Sequence, residues 1–392
     1  MSCTRGCWMG ALLLAATAMV ACGDGGNDDQ NAGGAGGVGG AGGTGGTAPV
    51  HAPLIGDGTP ESVRFTVIAD AEDGLAVPRD LGFHPGREGE LWVANRQDDG
   101  TTIIFDATGA AENSEHRVDG FAEHFMEEVS SIAFGAQNYR DDWSFGTCQE
   151  SENTYNDQYA PNYFMGPALW SAHLDVFAIN NPEGLGSHLD MLHESPNCMG
   201  IAHQSENVYW VFDGHHGQIV RYDFQQDHDA GYDDHSDGII HFLAEPRVVR
   251  VPDVPSHLVM DLESRRLYVA DTGNQRILWI DPRGASKVKS MIGKERGTIV
   301  EEWGGQEWGE LVPASAGLLQ APSGLALHGG YLYVGDNATG EILAFDLEGN
   351  LVNRLTTGVA PGALMGLEPG PDDRLYFADA TGRIVRIEPA AE

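Results

Sequence analysis

Ten of the fifteen histidines lie between His173 and His257. Imidazole is the commonest transition-metal ligand at neutral pH, and three or four from different loops can close round one ion. Four are candidates for that role: His193, His215, His216 and His257. His215 and His216 share the turn Asp213-Gly-His-His-Gly217. A second cluster follows, Asp227-His-Asp229-Ala-Gly231-Tyr-Asp233-Asp234-His-Ser-Asp237. Alternating carboxylates around a glycine suit Ca2+, which takes six to eight oxygens. That makes Asp227, Asp229, Asp233, Asp234 and Asp237 calcium candidates. His228 and His235 in the same loop favour a transition metal instead. A solvated acidic loop is the simpler account of the same residues. No Walker A, G-x-S-x-G, H-E-x-x-H or C-x-x-C pattern is present.

The formal net charge is −36, from 58 acidic and 22 basic residues. Nucleic acid needs a basic footprint, so that class is excluded. The same balance opposes docking on an anionic membrane through protein charge, and it suits a soluble surface or cation binding. Residues 1–21 read as a secretory signal: Arg5, then an apolar run too short to span a bilayer, then small residues. Met19-Val20-Ala21-Cys22 resembles the lipobox of bacterial lipoproteins, which implies a lipid on Cys22. Gly23 in the next position, where inner-membrane retention takes Asp, implies the outer membrane. Gly33–Gly46 holds ten glycines in fourteen positions, and residues 22–60 read as a flexible tether. The folded part is expected over 61–392, as a monomer.

What must position the candidate residues is a repeat. Aromatic and β-branched residues cluster in runs of about five, and no long stretch has helical periodicity, so the chain reads as almost all β. Pro78-Arg-Asp-Leu-Gly-Phe precedes Leu91-Trp-Val-Ala-Asn95. The phrase returns at Pro196, Pro255, Pro322 and Pro361, with second strands such as Leu267-Tyr-Val-Ala-Asp271 and Leu332-Tyr-Val-Gly-Asp336. The clearest unit, Asn197–Phe224, reads as strands Met199–His203, Val208–Phe212 and Gln218–Phe224. The prolines are 118, 59, 67 and 39 residues apart. The first gap is twice the second, so a further unit is hidden in it. Val129–Phe134, Ala168–Ala172 and Asp175–Asn180 are its expected strands, with an insertion at 137–162. Six units result, and such sheets must stack radially to cover their faces. Val63–Ala69 is expected to supply the missing outer strand of the last unit and close the ring. Asp213, Asp271, Asp336 and Asp379 close second strands, where an aspartate accepts turn N–H groups.

The pattern P-x-G-[IL]-A followed by LYVAD, a turn and a strand resembles the NHL repeat. That resemblance spans about Pro78 to Glu388 and implies a six-bladed β-propeller. In such a fold the innermost strand starts at one face, here the top, and the second-to-third loop returns there. His173, His193, His215, His216 and His257 then fall on the top face, and His84, His203 and His328 on the bottom surface. Cys148 and Cys198 suggest one disulfide in an oxidising compartment. Cys198 begins a strand at the top, so a loop leaving Phe134 at the bottom must wrap round to reach it. Pro255-Ser-His257-Leu and Asp213-Gly-His-His-Gly-Gln218 are similar to phrases of propellers of the peptidylglycine amidating lyase type, with each histidine displaced. That similarity implies a histidine-bound zinc in the central channel. Lactonases of the SMP-30 type use acidic inner-strand ligands, for which Asp80 and Glu128 are the candidates.

The expected function is binding of a small molecule or protein at the top face, with a bound zinc, another transition metal, or calcium. The alternatives are a lyase or hydrolase with its metal in the channel, and a structural surface protein. Cys22→Ala should release the chain from the membrane fraction of the cell envelope into the soluble fraction. Co-sedimentation of variant and parent with membranes would sink the anchor.

Overall fold

Leu91–Asn95 is buried at every position, as are Gly100–Ile104 and Val208–Asp213. A strand buried on both faces needs a sheet on each side of its own, and a ring of blades supplies that. The computed structural model describes residues 52–137, 139–153, 161–179, 184–232 and 234–390. These all fall in one compact unit, Pro49–Glu392. The signal, Cys22 and the glycine-rich stretch Gly33–Gly46 lie outside the described residues, as does Asp233. Residues 52–60, expected to be tether, belong to the fold instead, because Ala52, Leu54 and Ile55 are apolar and pack into a core cluster. Among the described residues no helix is long and apolar enough to cross a membrane.

Six sheets form a six-bladed β-propeller. The inner strands are Pro78–Phe83, Val129–Gln137, Cys198–Ser205, Leu258–Asp261, Pro322–His328 and Leu364–Pro369. Each touches the next, and the last touches the first. Val63–Ala69 pairs antiparallel with Arg383–Pro389 as the outer strand of the sixth blade, so the ring closes as expected. Asp213, Asp271, Asp336 and Asp379 are almost fully buried and accept backbone N–H groups, such as those of His215 and Thr381 at 2.9 Å.

Two details differ from the expectation. In blade two the second strand is Trp143–Gln149, inside the supposed insertion. Ala168–Ser171 is the third strand and His188–Met191 the fourth. Residues 174–178 are a turn. The polar, aromatic sequence of Trp143–Gln149 hides a strand that is buried from Ser144 onward. His173 therefore follows a third strand and lies at the bottom. Trp143–Gln149 also returns the chain to the top, which removes the obstacle to the disulfide: Cys148 and Cys198 are bonded. The second difference is in blade four. Its outer strand is Glu307–Val312, and the hairpin Ser286–Ser290 and Ile299–Gly304 is inserted before it. That hairpin leaves its own blade and adds Ile299–Gly304 parallel to Ile239–Leu243, the outer strand of blade three.

The channel is lined by inner strands of all six blades around a cavity of about 320 Å3. Asp80 accepts the N–H of Leu81 (2.9 Å) and of Ile132 (3.0 Å). His257 Nε2 stands 3.3 Å from the Ser130 carbonyl and 3.6 Å from Asp80. Burial pushes His257 down to about 4 and Asp80 up to about 8. Burial and the Asp80 charge raise Glu368 to about 8. Glu128 pairs with Arg96 at 2.8 Å. His84, expected on the surface, is buried 3.5 Å from Asp142.

Two consequences can be measured. The disulfide spans a sequence separation of 50. The double variant Cys148→Ser, Cys198→Ser should lose about 3–4 kcal/mol through restored unfolded-chain entropy, read as a lower denaturation midpoint. An unchanged midpoint refutes this. Glu368 keeps its proton when folded up to about pH 8, whereas it ionises near 4.5 when unfolded. Folding therefore takes up a proton between those values, and stability falls as pH rises through that window. Glu368→Gln should flatten the fall by about 1–3 kcal/mol, followed by thermal unfolding from pH 5 to 8. Parallel profiles for the two proteins would refute it.

Candidate metal centre

Blade two passes to blade three through residues 192–197. The Ser195 N–H bonds the Met165 carbonyl (3.0 Å), and the Asn197 N–H bonds that of Ser151 (2.8 Å). This places His193 flat against Phe164, rings 3.8 Å apart at 7°. The acidic loop of blade three folds back on the same junction. Gly231 donates to the His188 carbonyl at 2.8 Å and accepts from Leu185 N at 2.8 Å. Its φ is +80°, and a Cβ there would stand 2.6 Å from the Gly186 carbonyl oxygen, so glycine is required. The fold-back delivers His235. The third contributor is Glu295, in the turn of the inserted hairpin. The Lys294 N–H of that turn bonds Glu194, and the Ile299 N–H bonds the Gly238 carbonyl at 2.9 Å.

His193, His235 and Glu295 thus offer three ligand atoms within 4.8 Å of one another. His235 Nε2 is 3.5 Å from Glu295 Oε1, and His193 Nδ1 is 2.5 Å from the same oxygen. Two ligands each about 2 Å from a tetrahedral ion stand about 3.3 Å apart. The first pair meets that spacing, and the second would open by about 1 Å. On its far side His235 Nδ1–H donates to Asp190 at 2.7 Å, which turns the Nε2 lone pair toward the triad. A carboxylate behind the imidazole is the usual support of a metal-ligating histidine. His193 Nε2 lies 3.2 Å from His124 Nε2. Asp190 is fully buried in the outer strand of blade two, and burial pushes it up to about 6 against the pull of His235 and His228. The triad borders a cavity of about 600 Å3, which Phe164, Asn153, Asn162, Lys294 and Arg296 also line.

The four expected histidines do not come together. His193 enters the triad. His216 Nδ1 donates to Asp213 at 2.7 Å, which raises its pKa, and His215 packs on Tyr163. His257 is in the channel. They separate because the crossover, the second turn and the inner strand of successive blades lie at different radii. The calcium candidates also diverge. Asp227 accepts from Asn207 (2.8 Å), Asp234 accepts from Ser236 N within its own loop (3.1 Å), and Asp229 bonds Tyr232 N through its backbone carbonyl. Of those described, only Asp237 joins a group that could hold an ion, with Asp190 and His228.

Glu295, Asp190 and His124 were not singled out from the sequence. Glu295 lies 102 residues from His193, in another repeat. The available signal was length: blade four has too many residues between Asp281 and Pro322 for one outer strand. Asp190 and His124 carried no such signal.

No protein-family model matches the chain, and no curated protein matches it in sequence. Among solved structures it is similar to an auxiliary nutrient binding protein from Bacteroides thetaiotaomicron VPI-5482. The identity is 14%, over 86% of this chain and 76% of that one, with a TM-score of 0.50. It is also similar to virginiamycin B lyase from Staphylococcus aureus (9% identity, 83% and 99% covered, TM-score 0.49) and to luciferin-regenerating enzyme (10%, 83% and 95%, 0.49). At these identities the likeness is one of fold, the six-bladed β-propeller.

Proposed function

We propose that this is an exported, lipid-anchored binding protein that holds a transition-metal ion at the junction of its second and third blades. Through that ion it takes up a small molecule or a protein segment in the adjoining cavity. The observation that carries the reading is the convergence of His193, His235 and Glu295, with Asp190 orienting His235. Two imidazoles and one carboxylate form a zinc ligand set that leaves a position for a ligand. The cavity supports the same reading. Lys294 and Arg296 supply positive charge and Phe164 an aromatic face beside the ion. The lipobox-like Cys22 and the glycine-rich tether support attachment at the envelope, and the NHL-like phrases support descent of the blades from that repeat.

The enzymatic reading with a channel metal rests on His257 beside Asp80. One imidazole with a pKa near 4, hydrogen-bonded to a backbone carbonyl, is a weaker centre than the triad.

Zinc measured by elemental analysis after chelator stripping, reloading and dialysis tests the proposal. The double variant His193→Ala, Glu295→Gln should retain about one ion per chain less than the parent. His257→Ala should match the parent. Equal zinc in the parent and the junction variant would overturn the site, and loss confined to His257→Ala would move it to the channel.

A further inference from the structure

Asp190 has two carboxylate oxygens, and the junction triad uses only one. Oδ1 accepts from His235. Oδ2 is buried and has no hydrogen-bond partner. The Asp190 side chain is fully buried. His228 Nε2 and Asp237 Oδ1 are likewise buried without hydrogen-bond partners. All three atoms face one another. His228 Nε2 is 3.5 Å from Asp237 Oδ1 and 3.9 Å from Asp190 Oδ2, and the three lie within 4.8 Å.

A buried polar atom without a partner is destabilising, and more so when it is charged. Three such atoms converge here, and a cation between them would give all three a partner. The 3.5 Å separation is close to that of ligands about 2 Å from a shared tetrahedral ion, and the 3.9 Å one would close by about 0.6 Å. Asp237 is held in place by its other oxygen, which accepts from Gln226 N at 3.3 Å. The loop that carries His228 and Asp237 is pinned to His188 and Leu185 through Gly231.

We infer that Asp190, His228 and Asp237 form a second divalent-cation site. Its chemistry, one nitrogen and two carboxylates, suits Zn2+ or Mn2+ more than Ca2+, which prefers oxygen alone. The two sites are joined through Asp190: one oxygen orients a ligand of the first ion, and the other is a ligand of the second. The second site has its own ligands and stands whether or not the junction triad binds metal.

The test is a titration of chelator-stripped protein with Zn2+, with bound metal counted after gel filtration. The parent should bind about two ions per chain. The double variant His228→Gln, Asp237→Asn alters partly exposed side chains and should bind one fewer. Asp190→Asn should lose the second ion and weaken the first about 10- to 100-fold, because it removes the support of His235. Circular dichroism and the unfolding midpoint establish that each variant is folded. If the His228, Asp237 variant binds as many ions as the parent, the second site is refuted. If that variant loses an ion while His193→Ala, Glu295→Gln loses none, the second site stands and the junction proposal falls.

Discussion

Ring closure is the constraint on which the rest depends. Each blade exposes two apolar faces, and only a neighbour on either side covers them. Pairing of Val63–Ala69 with Arg383–Pro389 fastens the first described strand to the last and leaves no blade with a bare side. Once the ring is closed, the radius of every position is set. Inner strands face the axis, second and third strands are mostly buried, and crossovers run from the outside of one blade to the inside of the next. The chemistry described above lies at one such crossover.

That crossover differs from the others in what it meets. Blade four sends its inserted hairpin back to blade three, where Ile299–Gly304 extends the sheet in parallel. Blade three sends its long third-to-fourth loop back to blade two, held there by Gly231. Both excursions run against the chain direction and end beside His193. Three segments distant in sequence meet with small residual freedom, because each is tied by backbone hydrogen bonds on both sides of its ligand residue. A site built this way is pre-positioned, which is what close ligand spacing demands.

The scaffold was largely legible in the sequence because it repeats. Proline before the first strand and Asp after the second recur in most blades, and the physical cause is the same each time: a strand start and a turn that needs an acceptor. Blade two hid its second strand because Trp143–Gln149 carries Ser, Gly, Thr and Gln where other blades carry Tyr-Val-Ala. The site was less legible. Histidine enrichment drew attention to the third of the chain that holds most of the proposed ligands, and His193, His228, His235 and Asp237 all lie there. Their grouping was not recoverable. Spacing along one chain orders residues around a ring, but it does not say which loops fold back. Glu295 reaches His193 only because an inserted hairpin prefers the edge of another blade.

Burial of carboxylates at this junction is the last physical point. A chain with so many acidic groups has ample water-exposed surface on which to place them. Yet Asp190 has no exposure, and Glu295 is nearly buried. Isolated buried carboxylates are strongly disfavoured, and partners of opposite charge only partly offset their desolvation. Here the nearest neighbours are the imidazoles of His193, His228 and His235, with Lys294 and Arg296 lining the adjoining cavity. In the proposed site a divalent cation would add positive charge beside these carboxylates and take the imidazoles as neutral ligands, so charge balance and ligand chemistry would be met together at this junction.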